Sequence, residues 1–397
     1  MRIGIDISCW LNRRGFGRFT RELVRGMLDI DPSNEYVLFL DETTANEAEG
    51  LPSAQQATRV TVFTGSAAAR AAAADGSRSI GDLWRMRRAV KAWNGKLDVM
   101  YFPADYTYFP VSTTARVVVT KHDMTDRRVP ELLFPTWRSR VLWNAKIQLA
   151  IRRADLVFTV SNTSKRDIVE AYRMSDDKVR VIPDAVDPGF APSPKDARRD
   201  AVLQRHGIGA NERFFLYVGG ISPHKNLATL VRAFQAWNER GPDASSASLV
   251  LVGDYTNDVF HSSYQEIRAQ IADAKLDAKI RFAGFVPDAE LCDLYSAAEA
   301  LVLPSLYEGF GLPVLEAMAC GTPVIASHAG ALREVVGDAG LLFDPYDADG
   351  LSHQLQRVHA SASLRSDLAA RGLVRASQYS WNVSAHTALA AFEEVAR

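Results

Sequence analysis

Leu303-Pro304-Ser305-Leu306-Tyr307-Glu308-Gly309-Phe310-Gly311-Leu312-Pro313-Val314-Leu315-Glu316-Ala317-Met318-Ala319-Cys320-Gly321-Thr322-Pro323 carries the most structural information in this chain. The apolar run Ala300–Leu303 leads into it as a buried strand. Gly309 and Gly311 disfavour helix, so a loop follows. Pro313 suits a first helical turn, where its missing N–H is not needed. The helix is expected to run to about Cys320 and stop at Gly321, with the next strand at Pro323–Ala326. A strand-loop-helix-strand unit of this kind belongs to a parallel sheet covered by helices. Glu308 falls on the loop and Glu316 on the helix. Carboxylates accept hydrogen bonds from sugar hydroxyls, and backbone N–H groups near Phe310, Gly311 and Leu312 suit phosphate or hydroxyl oxygens. That chemistry fits a ribose or a hexose.

The preceding part of the chain repeats the pattern. Phe214–Val218 reads as a strand, followed by Gly219-Gly220-Ile221-Ser222-Pro223-His224-Lys225-Asn226. Asn226 is placed to N-cap a helix with the apolar stripe Leu227, Leu230, Val231, Phe234. Two glycines admit a close backbone, and Lys225 adds a cation beside a helix N-terminus. The segment is either a diphosphate site or a turn with an exposed lysine. Further strands are expected at Ser248–Val252, Lys279–Ala283 and Leu341–Phe343. Before them come Arg2–Ile7, Tyr36–Leu40, Arg59–Phe63, Asp98–Phe102, Arg116–Thr120, Leu156–Val160 and Val179–Ile182. Several are apolar on both faces, as in buried parallel sheets. Helical stripes such as Phe19, Leu23, Met27 lie between many of them. Pro183, Pro188, Pro192 and Pro194, with Asp184, Asp187 and Gly189, read as an interdomain connection. Two α/β domains facing a central cleft are therefore expected. The alanine-rich tract Ser66–Ala74 is either a helix or a loop. Trp381–Arg397 is a helix with the stripe Ala385, Ala388, Leu389, Phe392, Ala396.

Composition narrows the function. In 397 residues, 46 Lys and Arg offset 47 Asp and Glu, a net charge of −1, so nucleic-acid binding through bulk positive charge is not expected. Three cysteines, Cys9, Cys292 and Cys320, are too scattered for a disulfide framework or a zinc site, which fits a cytoplasmic protein. The start, Met1-Arg2-Ile3-Gly4-Ile5-Asp6, reads as a strand and not as a signal peptide. No apolar run approaches the roughly 18–20 residues of a membrane span. Asp347-Ala348-Asp349 reads as a solvated turn, and no Asp-x-Asp follows a strand, so no metal is expected. Arg85, Arg87, Arg88 and Lys91 flank the stripe Leu83, Met86, Val90, Trp93, and Arg138, Arg140, Lys146, Arg152 and Arg153 decorate a second helix. Either the stripe faces the core and the charges are solvated, or these helices make peripheral contact with the anionic inner face of a membrane.

Glu308-x7-Glu316 within EGFGLPVLEAMACGTPVI resembles the signature of retaining GT-B glycosyltransferases of family 4. Other stretches are similar in the same order. Gly15-Phe16-Gly17-Arg18 resembles the N-terminal glycine loop, and Lys121-His122-Asp123 the histidine loop. Val160–Ser164 and Val181–Asp187 resemble two further recurrent stretches. Gly284-Phe285-Val286-Pro287 resembles the base-holding loop, and Trp381 the tryptophan heading the last helix. The resemblance implies two Rossmann-like domains: residues 1–190 for the acceptor and 191–380 for the nucleotide-sugar. The helix 381–397 would cross back to the first.

The resemblance also implies roles. Glu316 would bind ribose hydroxyls and Glu308 donor-sugar hydroxyls. Lys225 would neutralise the diphosphate, and His122 would sit near the sugar C6 hydroxyl. Gly15, Gly17, Gly219 and Gly220 would admit the phosphates, Val286 the base, and the backbone of Phe310, Gly311 and Leu312 the donor. It implies retention by front-face attack, without cofactor or metal. The donor it favours is GDP-mannose, on the bacterial mannosyltransferase pattern. A UDP-sugar or another GDP-sugar stays open. The acceptor it favours is a glycan or polyprenyl-linked oligosaccharide of a bacterial surface polysaccharide. Many members carry arginine where Gly220 stands, and the mannosyltransferase branch usually has Arg-Lys-Asn where this chain has His224-Lys225-Asn226. Diphosphate charge then rests on Lys225 and the helix N-termini. Alternatives are a non-catalytic sugar-nucleotide sensor and a sugar-nucleotide epimerase of the same fold. A nicotinamide dehydrogenase lacks its fingerprint, because Thr20 stands where the third glycine belongs.

Overall fold

The computed structural model describes residues 1–12, 15–65, 79–134, 136–209, 211–240, 247–254 and 262–397. The Ser66–Ala74 tract lies outside them. Contacts divide the chain into two units. Unit 1 holds Met1–Met124, Phe134–Asp184 and Ser380–Arg397, and unit 2 holds Thr125–Leu133 and Ala185–Tyr379. The boundary falls at Asp184/Ala185 and not at 190/191. The reason is packing: Phe190 meets Tyr295 edge-on at 6.2 Å, and Cys292 Sγ donates to the Gly189 carbonyl at 3.4 Å. Placement of Thr125–Leu133 in unit 2 has no sequence signal.

Unit 1 is built on a seven-stranded parallel sheet. Its strands are β1 (Arg2–Asp6), β2 (Glu35–Asp41), β3 (Thr58–Val62), β4 (Val99–Phe102), β5 (Arg116–Thr120), β6 (Leu156–Thr159) and β7 (Val179–Val181). They lie in the order β3-β2-β1-β4-β5-β6-β7. Every residue of β4 and β6 is buried, which is why these strands read as apolar runs. The helix Gly15–Ile30 buries Phe19, Leu23 and Met27. Against it lies the helix Trp381–Ala396. A Cβ on Gly26 would come within 3.0 Å of Ala385 Cβ, so glycine allows this close approach. Ala385, Ala388, Leu389 and Phe392 are buried there, and a fully buried phenylalanine alone contributes about 1.5–3 kcal/mol. Ser384 Oγ donates to the Pro183 carbonyl at 2.7 Å, and Arg180 pairs with Glu394 at 2.8 Å.

Unit 2 repeats the scheme with six parallel strands. They are β8 (Arg213–Val218), β9 (Ala247–Val252), β10 (Ile280–Gly284), β11 (Ala300–Leu303), β12 (Val324–Ser327) and β13 (Leu341–Phe343), in the order β10-β9-β8-β11-β12-β13. The order reverses between β8 and β11. In such sheets ligands bind beyond the strand C-termini at that reversal. Asp347 is exposed, as expected, and has a structural task besides: its side chain accepts from Gly350 N at 2.8 Å and caps the helix Ala348–Ala360.

Candidate active site

The loops after β8 and β11, adjacent strands at the reversal of unit 2, hold the main cluster. After β8, Tyr217 donates its hydroxyl proton to the Gly220 carbonyl at 2.6 Å. The Gly219 carbonyl lies so close to Gly253 that a Cβ there would come within 2.0 Å. Ser222 Oγ and His224 Nδ1 are 3.2 Å apart, and the His224 carbonyl accepts from Leu306 N at 2.8 Å. The two loops are thus tied by backbone as well as by side chains.

Asn226 differs from its expected role. It stands at the N-cap position of the helix Leu227–Asn238 with left-handed backbone (φ 59°), but its side chain makes no capping bond. Instead Nδ2 donates to the carbonyls of Pro304 at 3.0 Å and Pro345 at 2.7 Å. Thr229 Oγ1 donates to its Oδ1 at 2.8 Å. Asparagine supplies both donors and tolerates φ > 0. Asn226→Asp keeps the shape but loses both donors and turns a carboxylate toward two carbonyls. A loss of about 1–3 kcal/mol is expected, read from urea unfolding; an unchanged midpoint would refute the clamp.

Lys225 Nζ donates to Glu308 Oε1 at 2.7 Å. Ser305 Oγ donates to the same oxygen at 2.6 Å, and the Ser305 carbonyl accepts from Ser327 Oγ at 2.6 Å. Ser305 and Ser327 are fully buried. The Glu308 backbone is held in turn: its carbonyl accepts from Ala331 N at 2.9 Å, against Gly330. Gly311 is the N-cap of the helix Leu312–Ala319 at φ 98° and makes no side-chain cap. The helix begins at Leu312, one residue before Pro313, and is capped by Cys320. With no capping side chain at Gly311, the positive end of its dipole is suited to an anionic ligand. Phe310 is buried against Tyr379, ring centroids 5.6 Å apart.

Glu316 is buried one turn into that helix, and Tyr295 donates to its Oε2 at 2.9 Å. Val286 is buried, whereas its neighbour Phe285 is exposed, so this loop presents a ring at the surface. Unit 2 therefore brings Gly219, Gly220, Lys225 and Glu308 together, with Phe310, Gly311, Leu312 and Glu316 following on. Sequence reasoning missed Ser305, Tyr295 and Gly330. Ser305 lies inside the decisive stretch but serine has no spacing signal, and Tyr295 is one aromatic on an ordinary helix.

Unit 1 holds the remaining expected residues. His122, after β5, is buried; its Nε2 is 2.9 Å from the Pro103 carbonyl, and Phe16 and Phe19 meet the ring edge-on at 4.8 and 4.7 Å. The carbonyl is an acceptor, so Nε2 carries the proton and Nδ1 is the acceptor of a neutral ring. Burial pushes the imidazole pKa below its ordinary value, although the Pro103 bond opposes this. The unfolded chain then takes up the proton first. Stability contributed by neutral His122 is intact above the ordinary imidazole range and declines as pH falls below it. Between about pH 7 and 5, melting temperature should fall more steeply in the parent than in His122→Gln; equal slopes would refute this.

Gly15 begins the helix Gly15–Ile30, and buried Gly17 lies in its first turn. A Cβ on Gly17 would come within 1.9 Å of the Asn12 carbonyl oxygen. Here glycine serves the packing of chain on helix.

Among the described residues, no three His, Cys, Asp or Glu side chains gather as a metal site, and no helix is long and apolar enough to cross a membrane.

Comparison with known proteins follows the division into two units. Residues 14–190 match the family model "Glycosyltransferase Family 4", and residues 198–374 match "Glycosyl transferases group 1". Over 181 residues the chain is 39% identical to the O-antigen chain mannosyltransferase B of Escherichia coli, covering 45% of each chain. The chain spans about half the length of the curated relatives it matches. The solved sucrose-phosphate synthase of Thermosynechococcus elongatus superposes with a TM-score of 0.75 at 20% identity, covering 99% of this chain and 98% of that one. HepE of Anabaena, solved in complex with UDP, superposes at 0.72 with 20% identity and 99% of both chains covered.

Proposed function

The chain belongs to the family 4 glycosyltransferases of GT-B fold, and from that premise we propose that it transfers a hexose from a nucleotide-sugar with retention and without metal. The donor we propose is GDP-mannose, and the acceptor a glycan or polyprenyl-linked oligosaccharide of a bacterial surface polysaccharide, met at the cytoplasmic side. The observation that carries this reading is the 2.7 Å contact of Lys225 with Glu308 at the strand-order reversal. It joins the cation and the carboxylate that such a donor needs. The mannosyltransferase name of the Escherichia coli relative supports the sugar. The UDP complex of HepE keeps a UDP-sugar as the second reading.

The residues divide the work as follows. Glu316, steadied by Tyr295, takes the ribose hydroxyls. Glu308 takes donor-sugar hydroxyls, and Val286 borders the base. Lys225 and the positive end of the Leu312–Ala319 helix meet the diphosphate. As the anomeric C–O bond breaks, negative charge grows on the leaving phosphate, and a preorganised donor there is worth roughly 3–4 kcal/mol. The acceptor oxygen bonds the anomeric carbon from the same face, and the leaving phosphate takes its proton. Neutral His122 offers Nδ1 as acceptor to the sugar C6 hydroxyl.

The test is thermal stability with GDP, UDP and ADP, each with and without EDTA. A ligand at about 100 times its Kd adds roughly 2.7 kcal/mol. A rise with GDP alone, unchanged by EDTA, is expected, followed by transfer from GDP-mannose. A rise with UDP alone moves the reading to UDP-sugars. Loss of turnover in EDTA would overturn metal independence. A nucleotide shift without transfer from any sugar donor would leave a non-catalytic sensor.

A further inference from the structure

Cys292 and Cys320 are scattered in the sequence, yet unit 2 folds them together. Cys292 lies in the helix Asp288–Ala297, and Cys320 is the C-cap of the helix Leu312–Ala319. One turn beyond Cys292 and on the same face, Ser296 Oγ donates to the Cys320 carbonyl at 3.4 Å. The chain after Cys320 is tied to the same helix, since Thr322 Oγ1 donates to the Tyr295 carbonyl at 2.6 Å. These bonds bring the two cysteine side chains side by side. Both are free, and their thiols hydrogen-bond to each other.

The two sulfurs are not equivalent. Cys320 is 2% exposed, whereas Cys292 is only half-buried. The hydrogen bond from Cys320 draws the Cys292 thiol pKa below its ordinary value, against the effect of burial. The Cys320 thiol gives that bond and is buried besides, and both effects push its pKa up. Thiolate is the reactive form of sulfur. The pair therefore has a reachable attacking sulfur, Cys292, and a second sulfur in contact with it. A low-pKa, accessible cysteine beside a resolving cysteine is the arrangement that peroxides oxidise selectively.

The same seam between helices holds Glu316. Tyr295, three residues after Cys292, donates to Glu316 Oε2 at 2.9 Å, and Cys320 N donates to the Glu316 carbonyl at 3.0 Å. The cysteine pair and the Tyr295–Glu316 pair thus join the same two helices one turn apart.

We propose that Cys292 and Cys320 are a reversible redox-modification site: a hydroperoxide converts them to a disulfide, and closing that bond strains the Tyr295–Glu316 contact and weakens nucleotide binding. The Cys292 thiolate attacks one peroxide oxygen, the O–O bond breaks, and the other oxygen leaves as water or an alcohol with a proton taken from solvent. Cys292 is then a sulfenic acid. The Cys320 sulfur attacks the Cys292 sulfur, the S–O bond breaks, and water departs with the Cys320 proton. The two thiols lose two electrons and the peroxide gains them. A dithiol reductant reverses the step by exchange. Bonded sulfurs stand about 2.05 Å apart, closer than hydrogen-bonded thiols, so the two helices must shift. A close-packed seam passes that shift to its neighbours. The effect on nucleotide rests on the role proposed above for Glu316, whereas disulfide formation does not.

The test treats the full chain with hydrogen peroxide, then alkylates and digests it. Free thiols should fall from three to one, with a linked Cys292–Cys320 peptide that dithiothreitol releases. Cys320→Ala should stop at the sulfenic acid, trapped on Cys292 by a 1,3-diketone. Cys292→Ser should keep its two buried thiols, and it carries the test if Cys320→Ala fails to fold. Thermal shifts with GDP, UDP and ADP are then measured before and after oxidation. Oxidation should weaken nucleotide binding to the parent by about tenfold or more, the worth of one hydrogen bond to a carboxylate, and leave Cys292→Ser unchanged. No linked peptide, or linkage through Cys9, overturns the proposal. So does a linked chain that binds nucleotide as well as the reduced one. A reduced chain that answers to none of the three nucleotides refutes the nucleotide reading instead, and the linked peptide alone then decides for or against the redox site.

Discussion

Replacing Lys225 by alanine is expected to lower kcat/KM for sugar transfer by about 100- to 1,000-fold, the loss of one preorganised donor to a developing negative charge. The site has little to compensate it. Gly220 stands where many related enzymes carry an arginine, and His224, held near Ser222, carries full charge only when protonated. The loss should fall on kcat as well as KM, because leaving-group charge is largest in the transition state. Affinity for the nucleoside, which lacks phosphates, should hold. Lys225→Arg restores charge but not a point ammonium, so it should recover only part of the rate. The measurement is steady-state transfer with the donor identified by thermal shift. An alanine variant within about threefold of the parent would remove Lys225 from the mechanism.

Gly330→Ala should damage both stability and transfer, for a reason visible in the backbone. Gly330 has φ 59°, and a Cβ there would lie 2.3 Å from the Glu308 carbonyl oxygen and 2.7 Å from its nitrogen. Left-handed backbone costs an alanine about 1–2 kcal/mol, and the steric conflict adds about 1–3 kcal/mol. Relief requires moving the Glu308 loop, which breaks the Ala331 bond to the Glu308 carbonyl and pulls the carboxylate from Lys225 and Ser305. Gly95 is the control: it also has positive φ, 73°, but a Cβ there meets nothing within 4 Å. Gly95→Ala should lose only the conformational cost and keep full transfer. Urea unfolding and transfer rates on both variants decide it. If Gly330→Ala matches Gly95→Ala, the loop is not held as described.

All thirteen strands among the described residues were legible in the sequence, with ends displaced by a residue or so. A strand buried on both faces must be apolar throughout, and the loops between carry glycine and proline. The glycine-proline stretch after Leu303 also revealed a loop, a helix start and two placed carboxylates. The resemblance of that stretch supplied the roles. Less was legible wherever one residue type serves two purposes. Gly17 read as a ligand-approach glycine, and the packing adds a second demand, room for the Asn12 carbonyl. Asn226 read as a cap, yet it ties Pro304 to Pro345. Both readings used a residue's general aptitude, and the partner that determined its use lay elsewhere in the chain.

The sequence by itself determined the two α/β units, the family and the short list of chemical residues, because periodicity, turns and motifs are properties of neighbours along the chain. Only the tertiary structure decided what those residues touch. Lys225 meets Glu308 across 83 residues of chain because β8 and β11 are adjacent in the sheet. Tyr295 reaches Glu316 because their helices pack, and Trp84 is exposed because Met86 and Val90 take the inward side. Such pairings follow from strand order and helix rotation, which depend on how the whole core closes.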